Sequence, residues 1–157
     1  MRKEFFTDDD FQSLKGTWSL TRTVRDNGVD FATLTGKVDI TALEGSPHTL
    51  LVEEYGTLYI PSQKHRSPFT AAFLYAARVG GIQIKRQRPI LAEPPHLMHD
   101  LVLAPNGHGL VAQHTYYCPP DSYALTFRLT SKNLTQMNYA ISGTSKSQEI
   151  ISELKRH

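Results

Sequence analysis

The sequence predicts an all-β fold, an antiparallel barrel of about eight to ten strands preceded by a short helix. Three observations carry this expectation. Apolar and polar residues alternate with a period of two over most of the chain, as half-buried strands require. Turn formers recur at short, regular intervals, at Asp26-Asn27-Gly28, Glu44-Gly45-Ser46-Pro47, Gly80-Gly81, Pro94-Pro95, Pro105-Asn106-Gly107, Pro119-Pro120 and Ser131-Lys132-Asn133. So many strands must close into a barrel or pack as a sandwich, because an open sheet would leave bare edges and an unprotected apolar face. Short connections make sequence neighbours spatial neighbours, which favours closure.

The elements follow in order. Thr7 suits a helix N-cap, Asp8-Asp9-Asp10 suit the positive end of a helix, and Phe11 and Leu14 offer apolar contacts, so one or two helical turns are expected over 7–14. In the first strand, Trp18, Leu20, Arg22 and Val24 share one face, and Thr17, Ser19, Thr21 and Thr23 share the other. Further strands are expected at about 35–42, 49–60, 70–79, 81–88, 97–104, 109–117, 122–130, 135–142 and 148–154. The stretch from Pro61 to Pro68 reads as the longest break, flanking the barrel mouth. Residues 70–78 also have high helix propensity, so an α+β roll with a helix there stands as the alternative.

A chain of 157 residues can bury the core of one domain, taken as 1–157, without disulfides or a structural metal. Cys118 is the only cysteine, and the N-terminal Met1-Arg2-Lys3-Glu4-Phe5-Phe6 lacks the apolar run of a signal peptide. A cytoplasmic protein outside the membrane is expected. The formal net charge is +2, and the basic runs Lys64-His65-Arg66 and Lys85-Arg86-Gln87-Arg88 lie beside turns, where such side chains usually solvate a hairpin end. No nucleic-acid partner is expected. The sequence holds no Gly-rich phosphate loop, serine nucleophile elbow or helical HExxH, and no cofactor is expected.

The informative residues are polar groups that share parity with an apolar face, because that face points into a barrel. Arg22 lies with Trp18, Leu20 and Val24, and Glu54 lies with Val52, Leu58 and Ile60. His99 is in step with Leu97, Leu101 and Leu103, His114 follows Leu110 and Ala112, and Asp121 precedes Tyr123, Leu125, Phe127 and Leu129. An unpaired buried polar group costs about 1–3 kcal/mol and a charge more, so these side chains must meet each other, water or a ligand. Arg22 with Glu54 or with Asp121 is the natural bidentate pairing.

The string His114-x-x-x-Cys118-x-x-Asp121 contains metal-ligand types. Along one strand, at about 3.3 Å per residue, His114 and Cys118 stand about 13 Å apart, whereas zinc ligands each lie about 2.0–2.3 Å from the ion. Without a sharp bend before Pro119 the string makes no metal site, and none is expected. Cys118 reads as a buried structural cysteine rather than a nucleophile.

Together, Gly16-x-Trp18-x-Leu20-x-Arg22, Glu54-x-Gly56-x-Leu58, His99, His114-x-x-x-Cys118-x-x-Asp121-x-Tyr123 and Gly143-x-x-Lys146 form a familiar pattern. Gly16-x-Trp18 after a short helix resembles the calycin, or lipocalin-like, signature, and the whole chain from about residue 13 to 156 resembles a family of short single domains of unknown function related to lipocalins. The resemblance implies that Trp18 plugs one barrel end and that a basic residue after the last strand, Arg156 or Lys155, packs across it. Thr144 and Leu154 depart from the pattern, where a Pro and an aromatic are expected.

Three functions remain open. One is a binding protein for a small, largely apolar molecule with a polar end, its cavity walled by Trp18, Leu20, Tyr75, Leu101, Phe127 and Tyr139. There Arg22, Glu54, His99, His114, Asp121 and Tyr123 would fix the polar end. The second is an isomerase, cyclase or hydrolase in which His99 or His114 is the base, Asp121 or Glu54 orients it, and Arg22 or Tyr123 stabilises developing negative charge. The third is a protein-interaction module with a filled barrel. The first expects a small-molecule partner, and oligomeric state stays open.

Overall fold

The computed structural model describes residues 6–87, 96–105, 109–144 and 146–157. The expected turns at Pro94-Pro95 and Asn106-Gly107, the N-terminal Met1 to Phe5, and Arg88 lie outside the described residues. Helix α1 (Asp8–Gln12) begins as its sequence dictates: the Thr7 hydroxyl accepts from the Asp10 N–H, and the Asp10 carboxylate accepts from the Thr7 N–H. Phe11 and Leu14 pass from it into the barrel end.

Strands β1 (Gly16–Asp26), β2 (Val29–Leu43), β3 (Ser46–Ile60), β4 (His65–Arg78), β5 (Gly81–Gln87) and β6 (His96–Leu103) follow as a meander of antiparallel neighbours. Then come β7 (Leu110–Ala112), β8 (Tyr116–Cys118), β9 (Asp121–Ser131), β10 (Leu134–Gly143) and β11 (Lys146–Arg156). Strand β11 pairs with β1, and β10 joins β11 to β9, so the sheet closes. Among the described residues ten strands form the closed antiparallel barrel, and β8 is a short flap on β9.

The hairpins are tight. Asn27 and Gly28 both have positive φ between Asp26 and its partner Val29, the backbone that two-residue turns between twisted strands need. The expected long break at Pro61 to Pro68 is instead a 3-10 turn at Pro61–Gln63, with Lys64 left-handed and Ile60 paired to His65. Pro68 lies within β4, in register with Thr57 of β3. Residues 70–78 are strand, not helix. Pairing to β3 from His65 to Ala76, and to β5 from Ala72 to Arg78, outweighs the local propensity of the alanines.

The expected strand over 109–117 is broken. Strand β7 ends at Ala112, the Gln113 N–H donates to the Asp100 carbonyl, and the chain bends before β8. One edge of β9 is therefore shared, by β7 at Phe127 and Thr126 and by β8 at Tyr123 to Asp121. Strand β6 pairs with β7 only through Leu101 to Leu103.

The barrel is filled at the end that α1 covers. Trp18 donates its indole N–H to the Leu14 carbonyl, and the Arg156 guanidinium stacks 4.1 Å from its ring centre, as the calycin resemblance implies. Leu20, Val38, Leu50, Tyr75, Leu101 and Phe127 pack above it. Further up, Gly36 and Gly56 face each other across β2 and β3 with no side chains between the two backbones. Among the described residues, no helix is long and apolar enough to cross a membrane.

Candidate functional site

The other half of the barrel holds a cavity of about 300 Å³, open to solvent. Its apolar walls are Val24 of β1, Leu34 of β2, Leu58 of β3, Phe69 and Phe73 of β4, and Ile150 of β11. Met98 completes the wall through a one-residue slip in the β5–β6 pairing, where Ile84 faces His99 but Lys85 faces Leu97. The extra residue turns Leu97 outward and Met98 inward. The expected inward parity of Leu97 is thereby reversed.

Five polar side chains join these walls: Arg22, Glu54, Arg86, Tyr123 and Tyr139. Arg22 and Glu54 form the bidentate pair the sequence suggested, with Nη1 to Oε1 at 3.1 Å and Nη2 to Oε2 at 3.0 Å. The third donor is used as well, since Nε gives to the buried Ser152 hydroxyl at 2.7 Å. Arg86 differs. Its guanidinium lies 5.1 Å from the Phe73 ring centre, and its Nε is buried without an acceptor.

His99 is 1 % exposed and lies behind this wall. Its Nε2 is 2.9 Å from the Tyr139 hydroxyl, and its ring packs against Tyr116 and Tyr139, with Tyr123 touching both of those rings. Burial lowers the His99 pKa from its usual 6.5 to about 4, so the imidazole is neutral at pH 7. Burial also pushes the Tyr139 phenol well above its ordinary value, a shift that Arg22 and Arg86 moderate and Glu54 and Tyr123 reinforce. Tyr139 keeps its proton.

The His99 shift has a consequence for stability. Between pH 6.5 and pH 4 the unfolded chain binds a proton at residue 99 that the folded chain refuses. Stability is thus intact above pH 6.5 and falls as pH drops through 4, by about 3 kcal/mol for this group. Urea unfolding of His99→Gln between those pH values should lack that part of the acid slope. A slope equal to that of the parent would refute the buried neutral imidazole.

Other expected site residues fall elsewhere. Trp18 and Tyr75 are in the filled half, with Leu20, Leu101 and Phe127, because bulky side chains from neighbouring strands leave no room there. Tyr75 offers its hydroxyl to the Met137 sulfur at 3.7 Å, and burial pushes its pKa up. His114 is exposed, in the bend between β7 and β8, where strand parity has no meaning. Cys118 is also exposed, at the tip of the β8–β9 hairpin rather than in the core. Asp121, half-buried, pairs in register with Cys118 and lies outside the cavity lining. Among the described residues no three His, Cys, Asp or Glu side chains gather as a metal site.

The acid–base arrangement expected of an enzyme is likewise rearranged. Glu54 spends both oxygens on Arg22, and His99 bonds to a phenol. Sequence reasoning missed Arg86, although Ile82, Ile84 and Arg86 share one parity and the first two are buried.

Residues 14–156 match the profile of a family of unknown function, DUF6314. No curated protein matches the chain by sequence. Among solved structures, the S-type phycobiliprotein lyase CPES from Guillardia theta is similar, with a TM-score of 0.67 and 10% identity, over 96% of this chain and 92% of that one. A redesigned β-barrel, mFAP0, bound to DFHBI, is similar with a TM-score of 0.51 and 18% identity, over 92% of this chain and 100% of that one. At such identities the likeness is one of fold.

Proposed function

The chain belongs to the DUF6314 family, and we propose that it binds a small, largely apolar molecule with a polar end inside its barrel. The observation that carries this reading is the open cavity of about 300 Å³, mostly apolar in its walls, with a few polar groups converging on it. Small-molecule sites are of this make-up, and their volumes begin at about 300 Å³. A filled barrel serving only as a protein-interaction module has no need of such a space. The two similar barrels support the reading from outside: one is named for phycobiliproteins and the other holds DFHBI.

The polar end belongs at Arg22, Glu54, Arg86, Tyr123 and Tyr139, with His99 supporting Tyr139 from behind. His114 and Asp121 are outside the cavity lining, and this reading gives them no contact with the ligand. Native mass spectrometry of the purified protein should reveal a retained small molecule. Leu58→Trp, which puts an indole where the ligand's apolar body would lie, should weaken binding of a neutral probe such as 1-octanol at least about tenfold, the scale of losing a well-packed apolar contact. A parent protein that retains nothing and binds no 1-octanol or comparable amphiphile would overturn the reading.

A further inference from the structure

Among the described residues, two hydrogen-bond donors on the cavity wall have nothing to donate to. The first is Arg86, whose Nε is buried without an acceptor and which pairs with no carboxylate among the described residues. Arg22 shows the contrast, with Nε, Nη1 and Nη2 all committed to Ser152 and Glu54. Among the described residues of the cavity lining Arg22 and Glu54 cancel, no other acidic side chain is present, and Arg86 leaves one positive charge uncompensated. A guanidinium lying over the Phe73 ring in a largely apolar space is costly unless an anion joins it.

The second donor is the Tyr139 hydroxyl. Neutral His99 carries a single N–H, and its Nδ1 is buried without a partner. With the hydrogen on Nδ1, a buried donor would be orphaned; on Nε2, only a lone pair goes unused, which folded proteins tolerate more readily. Nε2 therefore donates to the Tyr139 oxygen. That leaves the phenol hydrogen to point into the cavity that Tyr139 lines.

We propose that the ligand is a small amphipathic monocarboxylate, its carboxylate held by Arg86 and the Tyr139 hydroxyl and its apolar body lying along Leu58, Phe69 and Phe73. This rests on the cavity reading above and names the chemistry of its occupant. A carboxylate offers several lone pairs in the plane that a guanidinium fork addresses, and it accepts from a phenol at the same time. A single negative charge neutralises the cavity. A neutral head group leaves Arg86 unpaired, and a dianion replaces one uncompensated charge with another.

The test is calorimetric titration at pH 7.5 with octanoate and 1-octanol, which share a chain and differ in charge. The parent should bind octanoate about tenfold to a hundredfold more tightly, the range of charge-assisted hydrogen bonds. Arg86→Gln should erase that preference, while Arg86→Lys, which keeps the charge and loses the fork, should retain part of it. A preference that survives Arg86→Gln overturns the assignment to Arg86. Equal binding of the two probes by the parent overturns the carboxylate inference and leaves the cavity reading standing. Binding of neither probe overturns both.

Discussion

Glu54→Leu should destabilise the protein by about 3 kcal/mol in urea unfolding at pH 7. The substitution strips Arg22 of both carboxylate contacts and leaves a guanidinium facing an apolar interior. Removing one partner of a buried pair typically costs about 3–5 kcal/mol. The lower figure applies because Arg22 is 16% exposed and so keeps some access to water, whereas Glu54 is 5% exposed. Adding Arg22→Met should recover most of the loss, because removing both charges also removes both desolvation costs, and the Ser152 hydroxyl gives up only its role as acceptor. The difference between single and double variants is the informative quantity. A double variant as unstable as Glu54→Leu alone would show that the site depends on Arg22 for packing rather than on the balance of charge.

Gly36→Ala should be at least as damaging, about 4 kcal/mol or more. A Cβ there would fall on the Tyr55 carbonyl oxygen and lie 2.6 Å from the Gly56 Cα, while one added to Gly56 would meet Thr35 and lie 2.7 Å from the Gly36 Cα. Each obstacle is backbone, so no rotamer change relieves it, and losses of this size belong to the class in which the main chain itself must move. Both residues share the inward parity of Leu34, Val38 and Glu54, and they sit directly opposite each other in the β2–β3 register, the kind of position at which glycine lets two backbones approach closely. Thermal unfolding measures it. A fall in midpoint of only a degree or two would mean that β2 and β3 can part locally without disturbing the barrel.

Where strands are regular, the sequence was legible to the level of individual interior side chains. Period-two patterning over β1 and β3 placed Arg22 and Glu54 in the interior, where they meet across β2, and that over β6 placed His99 inside. The same rule failed wherever the count of residues slipped. One extra residue near Met98 exchanged it with Leu97, and a bend after Ala112 carried His114 out to solvent. Parity is a cumulative quantity, and a single bulge resets it. Arg86 escaped for another reason: a basic run beside a turn reads as a wet hairpin end, although Ile82 and Ile84, four and two residues earlier, set an inward rhythm. The division of the interior into a packed half and a hollow half was not legible, because it depends on how side-chain volumes from several strands sum at each level of the barrel.

The shared edge of β9 makes the wall uneven around its circumference. Most of the circumference is laced by ladders of amides, yet among the described residues the gap between β6 and β8 is bridged by one backbone hydrogen bond beside it and by the edge of the Tyr116 ring against His99. An aromatic contact of that kind is worth about 0.5–1.5 kcal/mol, a small sum beside a run of ladder bonds. Thermal breathing concentrates at the weakest fastening, and here that fastening adjoins Tyr139 and Tyr123. Among the described residues, the wall beside these tyrosines is accordingly held more by ring edges than by ladder bonds.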